Sequence, residues 1–172
     1  MPIRVSAIFA ALTWLIVMVP LSSSAQQVNH CPKSELGDPP RVVYQCAGGL
    51  VLEAEAAAAL GIVSNGASGR PNTVELTKDG VLVEVEPGSG PFQILTPHAI
   101  AAVRGTVYAV DVTDNSTSVF VMRGEVVVSH SDGSEGVSLS PGFGVEVFEG
   151  EPLIITRWPS VKVERLLARF GR

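Results

Sequence analysis

The residues of this 172-residue chain that could do chemistry are few and scattered. A serine nucleophile of the hydrolase type needs Gly-x-Ser-x-Gly on a strand-to-helix turn that exposes the hydroxyl. The nearest string, Gly66-Ala67-Ser68-Gly69, has the wrong spacing and context. His30, His98 and His130 lie far apart, and none stands at metal-ligand spacing from another. A calcium loop with its sixth position at Gly69 and its twelfth at Glu75 would need carboxylates where Ser64, Gly66 and Ser68 stand, so residues 64–75 read as a polar loop. Glu84 and Glu86 alternate with valines and read as outward-facing strand residues, while the separation that would make any carboxyl pair a glycosidase site is set by the fold. The inventory leads us to expect a non-enzyme with no cofactor and no metal.

Cys31 and Cys46 are the other reactive candidates, and the start of the chain decides how to read them. Met1-Pro2-Ile3-Arg4 precedes an apolar run over residues 5–19, then Pro20 and the small residues Ser23-Ser24-Ala25. This is the layout of a secretory signal, with cleavage expected before Gln26. The apolar run is shorter than the roughly 20 residues that span a bilayer, so no stable membrane anchor is expected after cleavage. An exported chain with an even pair of cysteines most often closes them. The expected Cys31–Cys46 bond would contribute about 3 kcal/mol by restricting the unfolded chain. A zinc site is the poorer reading, since only His30 lies near the two cysteines. The expected location is periplasmic or secreted.

Charge is uneven. Residues 26–156 carry 6 Lys and Arg against 16 Asp and Glu, and residues 157–172 carry 5 against 1. An acidic body of this kind disfavours nucleic acid, whose phosphates need a basic face.

The elements that must position these residues are mostly strands. Residues 26–41, with Pro32, Gly37, Pro39 and Pro40, read as an extended arm, followed by a β domain over residues 42–156. Residues 50–61 are ambiguous: alanine and glutamate favour helix, but Leu50, Leu52, Ala54, Ala56, Ala58 and Leu60 fall on one strand face, and strand is preferred. Residues 74–77 and 81–86 flank Lys78-Asp79-Gly80 and read as a hairpin, since Asp-Gly tolerates the positive φ of a tight turn. Residues 92–95 and 103–110 are strands around Thr96-Pro97, where proline removes a donor and disfavours helix before it. Further short strands at 119–122, 126–128, 137–139 and 145–148 complete an all-β domain. An antiparallel sandwich or rolled sheet is expected, with a short β-solenoid as the alternative. Residues 157–172 read as a basic amphipathic helix: Val163, Leu166, Leu167 and Phe170 form one stripe, and Ser160 is a candidate cap.

Four strings in order carry a resemblance: Phe92-x-Ile94-x-Thr96-Pro97, then Val103-Arg104-Gly105-Thr106-x-Tyr108-x-Val110, then the strand from Val119 through Arg123-Gly124, then Leu139-Ser140-Pro141-Gly142. The set resembles the FecR domain over residues 74–148. That resemblance implies a periplasmic domain of transmembrane regulators, which receives a signal from outer-membrane receptors and passes it to a cytoplasmic region that binds a sigma factor. Only four residues precede the apolar run, so the cytoplasmic region is expected to be missing and the protein to be an exported, stand-alone interaction or signalling module. Its expected partner is another envelope protein; a structural or glycan-binding envelope protein is the alternative. Within the motif, Gly105 and Gly124 are expected to serve backbone geometry. Arg104 is expected either to hold a turn or to bind a partner's carboxylate.

Overall fold

A computed structural model of the protein describes residues 31–66 and 69–172. The expected leader, the cleavage site before Gln26, His30, Ala67 and Ser68 lie outside the described residues. The strands in chain order are β1 (Lys33–Gly37), β2 (Pro40–Cys46), β3 (Leu50–Glu55), β4 (Leu60–Asn65), β5 (Pro71–Leu76), β6 (Asp79–Val85), β7 (Phe92–Leu95), β8 (Ala99–Val103), β9 (Val107–Val112), β10 (Ser116–Arg123), β11 (Val126–His130), β12 (Gly136–Leu139), β13 (Phe143–Phe148) and β14 (Thr156–Arg157). One helix, α1 (Ser160–Ala168), follows.

Two sheets form a sandwich. Sheet A runs β1-β2-β3-β6-β9-β10-β13-β14 and sheet B runs β12-β11-β8-β7-β5-β4. All neighbours are antiparallel except β5 and β7. Alternate residues face the gap between the sheets, as a pleated strand requires. From sheet A these include Leu50, Leu52, Val81, Val83, Tyr108, Val110, Val119 and Val145; from sheet B they include Val74, Leu76, Phe92, Ile94, Ala101, Val126 and Leu139, all buried in one cluster. The sandwich holds and the solenoid does not.

Several local expectations change. Residues 33–37, expected as part of an arm, form edge strand β1, paired from Lys33 with Tyr44 to Gly37 with Pro40. The Cys31–Cys46 disulfide closes beside this pair. The alternating run from Leu50 ends at Glu55; residues 56–59 turn, and Leu60 resumes as β4 in the other sheet. The strands around Lys78-Asp79-Gly80 are not a hairpin. β5 pairs with β4 and β7, whereas β6 pairs with β3 and β9, so the turn carries the chain between layers. Asp79 does take a positive φ of 60°, but the Gly80 N–H donates to Glu55 Oε2 at 2.7 Å on a neighbouring strand. Crossing between layers sets Val74 and Leu76 facing the valines of β6 across the core, which pairing in one sheet would not.

The middle of sheet A is buried on both faces. Its outer face presents Leu82, Ala109 and Phe120, and on these pack Trp158, Leu166 and Phe170 from the C-terminal segment. Phe120 and Trp158 stack with ring centroids 5.1 Å apart. The basic tail meets acids on the same face: Arg169 bonds to Glu55 and, at 2.7 Å, to Asp111, while Lys162 lies 2.7 Å from Glu146 and Arg172 bonds to Glu53. The hydrogen bonds that Arg169 donates to Glu55, then to Asp111, raise its pKa from the ordinary value. Ser160 does not cap α1. Pro159 occupies the cap position with extended backbone and without a side-chain bond, and proline's fixed φ suits entry to a helix.

Phe170→Ala is expected to lower stability by about 3–5 kcal/mol, because it empties a fully buried site between helix and sheet. Val161→Ala, on the exposed side of α1, is expected to stay within about 0.5 kcal/mol. Urea unfolding of both variants checks the pair.

Candidate functional site

The motif residues divide into those that hold the two sheets together and one that does not. Thr96 is buried at the β7–β8 turn, where its Oγ1 accepts the Ala99 N–H at 2.8 Å. The same oxygen lies 2.8 Å from Thr117 Oγ1, which belongs to β10 of sheet A. Thr96 therefore joins the layers through a buried hydroxyl pair, and His98 Nδ1 approaches Thr117 Oγ1 at 3.2 Å. Pro97 stays exposed beside it. Phe92, Val103 and Tyr108 are core residues. The Tyr108 hydroxyl is buried without a partner among the described residues, and burial pushes its pKa well above the ordinary tyrosine value.

Gly105 and Gly124 meet back to back. Gly105 has a φ of +70°, and a Cβ there would lie 2.8 Å from Pro87 Cα; Gly124 has a φ of +84°, and its Cβ would lie 2.8 Å from the Gly105 carbonyl oxygen. Both positions exclude side chains on conformation and on space. Thr106 between them is fully buried and donates to the Glu125 carbonyl at 3.3 Å. Gly142 donates its N–H to the Val121 carbonyl and accepts from the Trp158 N–H, tying the turn before β13 to the segment that leads into α1.

Arg104 is different. It is exposed and makes no hydrogen bond or ion pair among the described residues, so the turn it belongs to is held by its neighbours and not by its guanidinium.

What Arg104 does border is a groove of about 590 Å³ on the outer face of sheet B. Strand register explains it. Thr73 pairs with Gln93, Gln93 with Ala102, and Ala102 with Val127, so one row of outward side chains crosses four strands. Ala102, the shortest of the row, leaves the depression. Pro91, Arg104 and Glu125 stand at the strand ends as its rim. Glu125 accepts a short bond from Ser138 Oγ and makes no ion pair with Arg104 among the described residues. Thr73 Oγ1 accepts from Gln93 Nε2 at 3.2 Å, which fixes the amide at one end of the floor.

Elsewhere the fold assembles residues that the sequence kept apart. His98 and His130 line one cleft with Asp132, Glu135, Glu149 and Glu151, and His130 Nε2 lies 3.5 Å from Glu135. No group of three such side chains among the described residues has metal-binding geometry. Glu84 is exposed on its strand and pairs with Arg123 at 3.3 Å, and Glu86 is exposed beside the Gly49 turn. Arg70 went unnoticed in a turn-rich loop. It is buried, with Nη1 donating to the Ser89 carbonyl at 2.9 Å and its guanidinium 5.9 Å from the Phe92 ring centre; burial lowers its pKa from the ordinary value.

A family model described as FecR protein matches residues 38–127. Comparison with curated proteins found no match. Among solved structures, two from Parabacteroides distasonis ATCC 8503 described as an anti-sigma factor are similar: one with a TM-score of 0.50 at 21% identity, the other with 0.48 at 19%. Each similarity covers 81% of this chain and 61% of the other, so the chain spans less than two thirds of that protein's length. At such identity the likeness is one of fold.

Two substitutions separate frame from rim. Gly105→Val is expected to cost several kcal/mol or prevent folding, since it combines a left-handed backbone with a backbone clash. Arg104→Ala is expected to leave the thermal midpoint within the error of the wild type. Thr96→Val is expected to cost about 1–3 kcal/mol, because the Ala99 N–H and the Thr117 hydroxyl lose a buried partner. Thermal and urea melts of the three variants give the comparison.

Proposed function

The chain belongs to the FecR protein family, and from that premise we propose that it is an exported, non-enzymatic interaction module that relays a signal by binding another protein of the cell envelope. One observation carries the reading. Of the two arginines in the motif, Arg123 pairs with Glu84, while Arg104 projects unpaired at the rim of a groove. A charged side chain that contributes nothing to its own fold is available to a partner, and a guanidinium can grip a carboxylate with two parallel bonds. Export is supported by the signal-like layout of residues 1–25 and by the Cys31–Cys46 disulfide, a bond that persists in oxidising compartments. The groove offers backbone, amides, hydroxyls and apolar surface, a mixture suited to binding.

Fractionation followed by intact-mass analysis tests export: the expected product starts at Gln26, resides in the envelope fraction and shows its two thiols only after reduction. A pull-down from envelope extract then compares wild type with Arg104→Glu. Retention of a protein by the first and its loss from the second, with identical melts, is the expected result. Retention of cell-wall glycan instead would favour the structural reading, and turnover of a cell-wall or ester substrate would overturn the non-enzymatic one.

A further inference from the structure

The groove beside Arg104 has a direction. Beyond Thr73 the row of paired residues continues into Ser64 of β4, and beyond Val127 into Ser138 of β12. The full line Ser64, Thr73, Gln93, Ala102, Val127, Ser138 crosses sheet B from edge to edge and holds no charged residue. It ends in serine on both sides, so an occupant can pass through the groove without ending in it. The span from Thr73 to Val127 is three strand spacings, about 14 Å, which is the length of about four extended residues.

Positive charge is supplied from one side only. The body of the protein is strongly acidic, yet no carboxylate comes within ion-pair distance of Arg104 among the described residues, as is also true of Arg70 and Lys78, whereas Lys33, Arg41 and Arg123 each have one. Its nearest acidic neighbour in the groove, Glu125, is held by Ser138. Two residues along each strand from the row, on the side away from Arg104, the same face carries Leu95 and Ile100 between Glu75 and Ser129. An extended chain laid along the row points alternate side chains to opposite sides.

We propose that this row binds an extended internal segment of the partner protein in which acidic and small aliphatic side chains alternate, the acid engaging Arg104 and its neighbour seated over Leu95 and Ile100. The proposal rests on the interaction-module reading and specifies its ligand. The Gln93 amide and the Thr73 hydroxyl, already oriented toward each other, bond to the segment's backbone. Affinity comes from burying the aliphatic side chain, and selectivity from the charge.

The test uses the mature, oxidised, 15N-labelled protein and two octapeptides with blocked termini, one alternating valine with glutamate and one valine with lysine, each titrated to ~1 mM, the weak end of specific binding. The expected result is saturable shift changes at the amides of Gln93, Ala102 and Val127 with the glutamate peptide, and binding at least tenfold weaker with the lysine peptide. Ala102→Leu, which fills the depression without altering charge, is expected to weaken binding tenfold or more. Arg104→Glu is expected to reverse the preference between the peptides. Equal binding of both peptides, full binding by Ala102→Leu, or shift changes confined to another face would overturn the proposal. So would a wild type that is dimeric with a monomeric Ala102→Leu, which would make the occupant a second copy. If Arg104→Glu loses an envelope partner while neither peptide binds wild type, the interaction module stands and this ligand class fails.

Discussion

The middle of sheet A has to bury both of its faces, and the packing of α1 against its outer side is the interaction on which the rest depends. Leu82, Ala109 and Phe120 interrupt what would otherwise be clean alternation, and each would face water without Trp158, Leu166 and Phe170. Burial of these side chains contributes most of the attachment, at about 1.5–3 kcal/mol for each large one. The ion pairs contribute less, because they are partly exposed and screened. Their effect is on placement: Glu55 on β3 and Asp111 on β9, the strands either side of β6, both hold Arg169, which sets where the helix ends. Three of the tail's five cations, Lys162, Arg169 and Arg172, are thereby paired within the molecule.

This arrangement divides the work between the layers. With the middle of its outer face covered, sheet A serves as a frame, and sheet B is joined to it by the shared apolar interior and by the buried Thr96–Thr117 pair. Gly105 and Gly124, packed against each other, fix the turn from which Arg104 projects. Sheet B has no helix over it. Its outer row of short and polar residues is therefore uncovered, and it is the face that the proposed binding uses.

Much of the architecture was legible from period and punctuation. The alternation of β3 and β7, the breaks at Pro87-Gly88 and Ser131-Asp132-Gly133, and the stripe of the tail helix each correspond to structure. The apparent hairpin at Asp79-Gly80 misled because a tight turn fixes local backbone but not whether the strands it joins share a sheet. β1 was hidden because Lys33-Ser34-Glu35-Leu36 shows no buried face; as an edge strand held by backbone bonds to β2 it needs none. The unbroken apolar runs Val81-Leu82-Val83 and Val119-Phe120-Val121 did hold a signal for a second covering layer, since strands buried on both sides lose their alternation. The groove could not be read at all. It depends on Thr73, Gln93, Ala102 and Val127 coming into register across four strands, including one parallel pair, and nothing local encodes that alignment.

On the proposed reading a partner meets the outer face of sheet B and not the helix that covers the middle of sheet A. Site-specific photocrosslinking in living cells tests it directly, with a photoreactive phenylalanine analogue placed either at Val127, in the groove, or at Val161, on the exposed side of the helix. The account predicts a discrete crosslinked protein from position 127 and none from position 161. A crosslink formed from position 161 alone would contradict it.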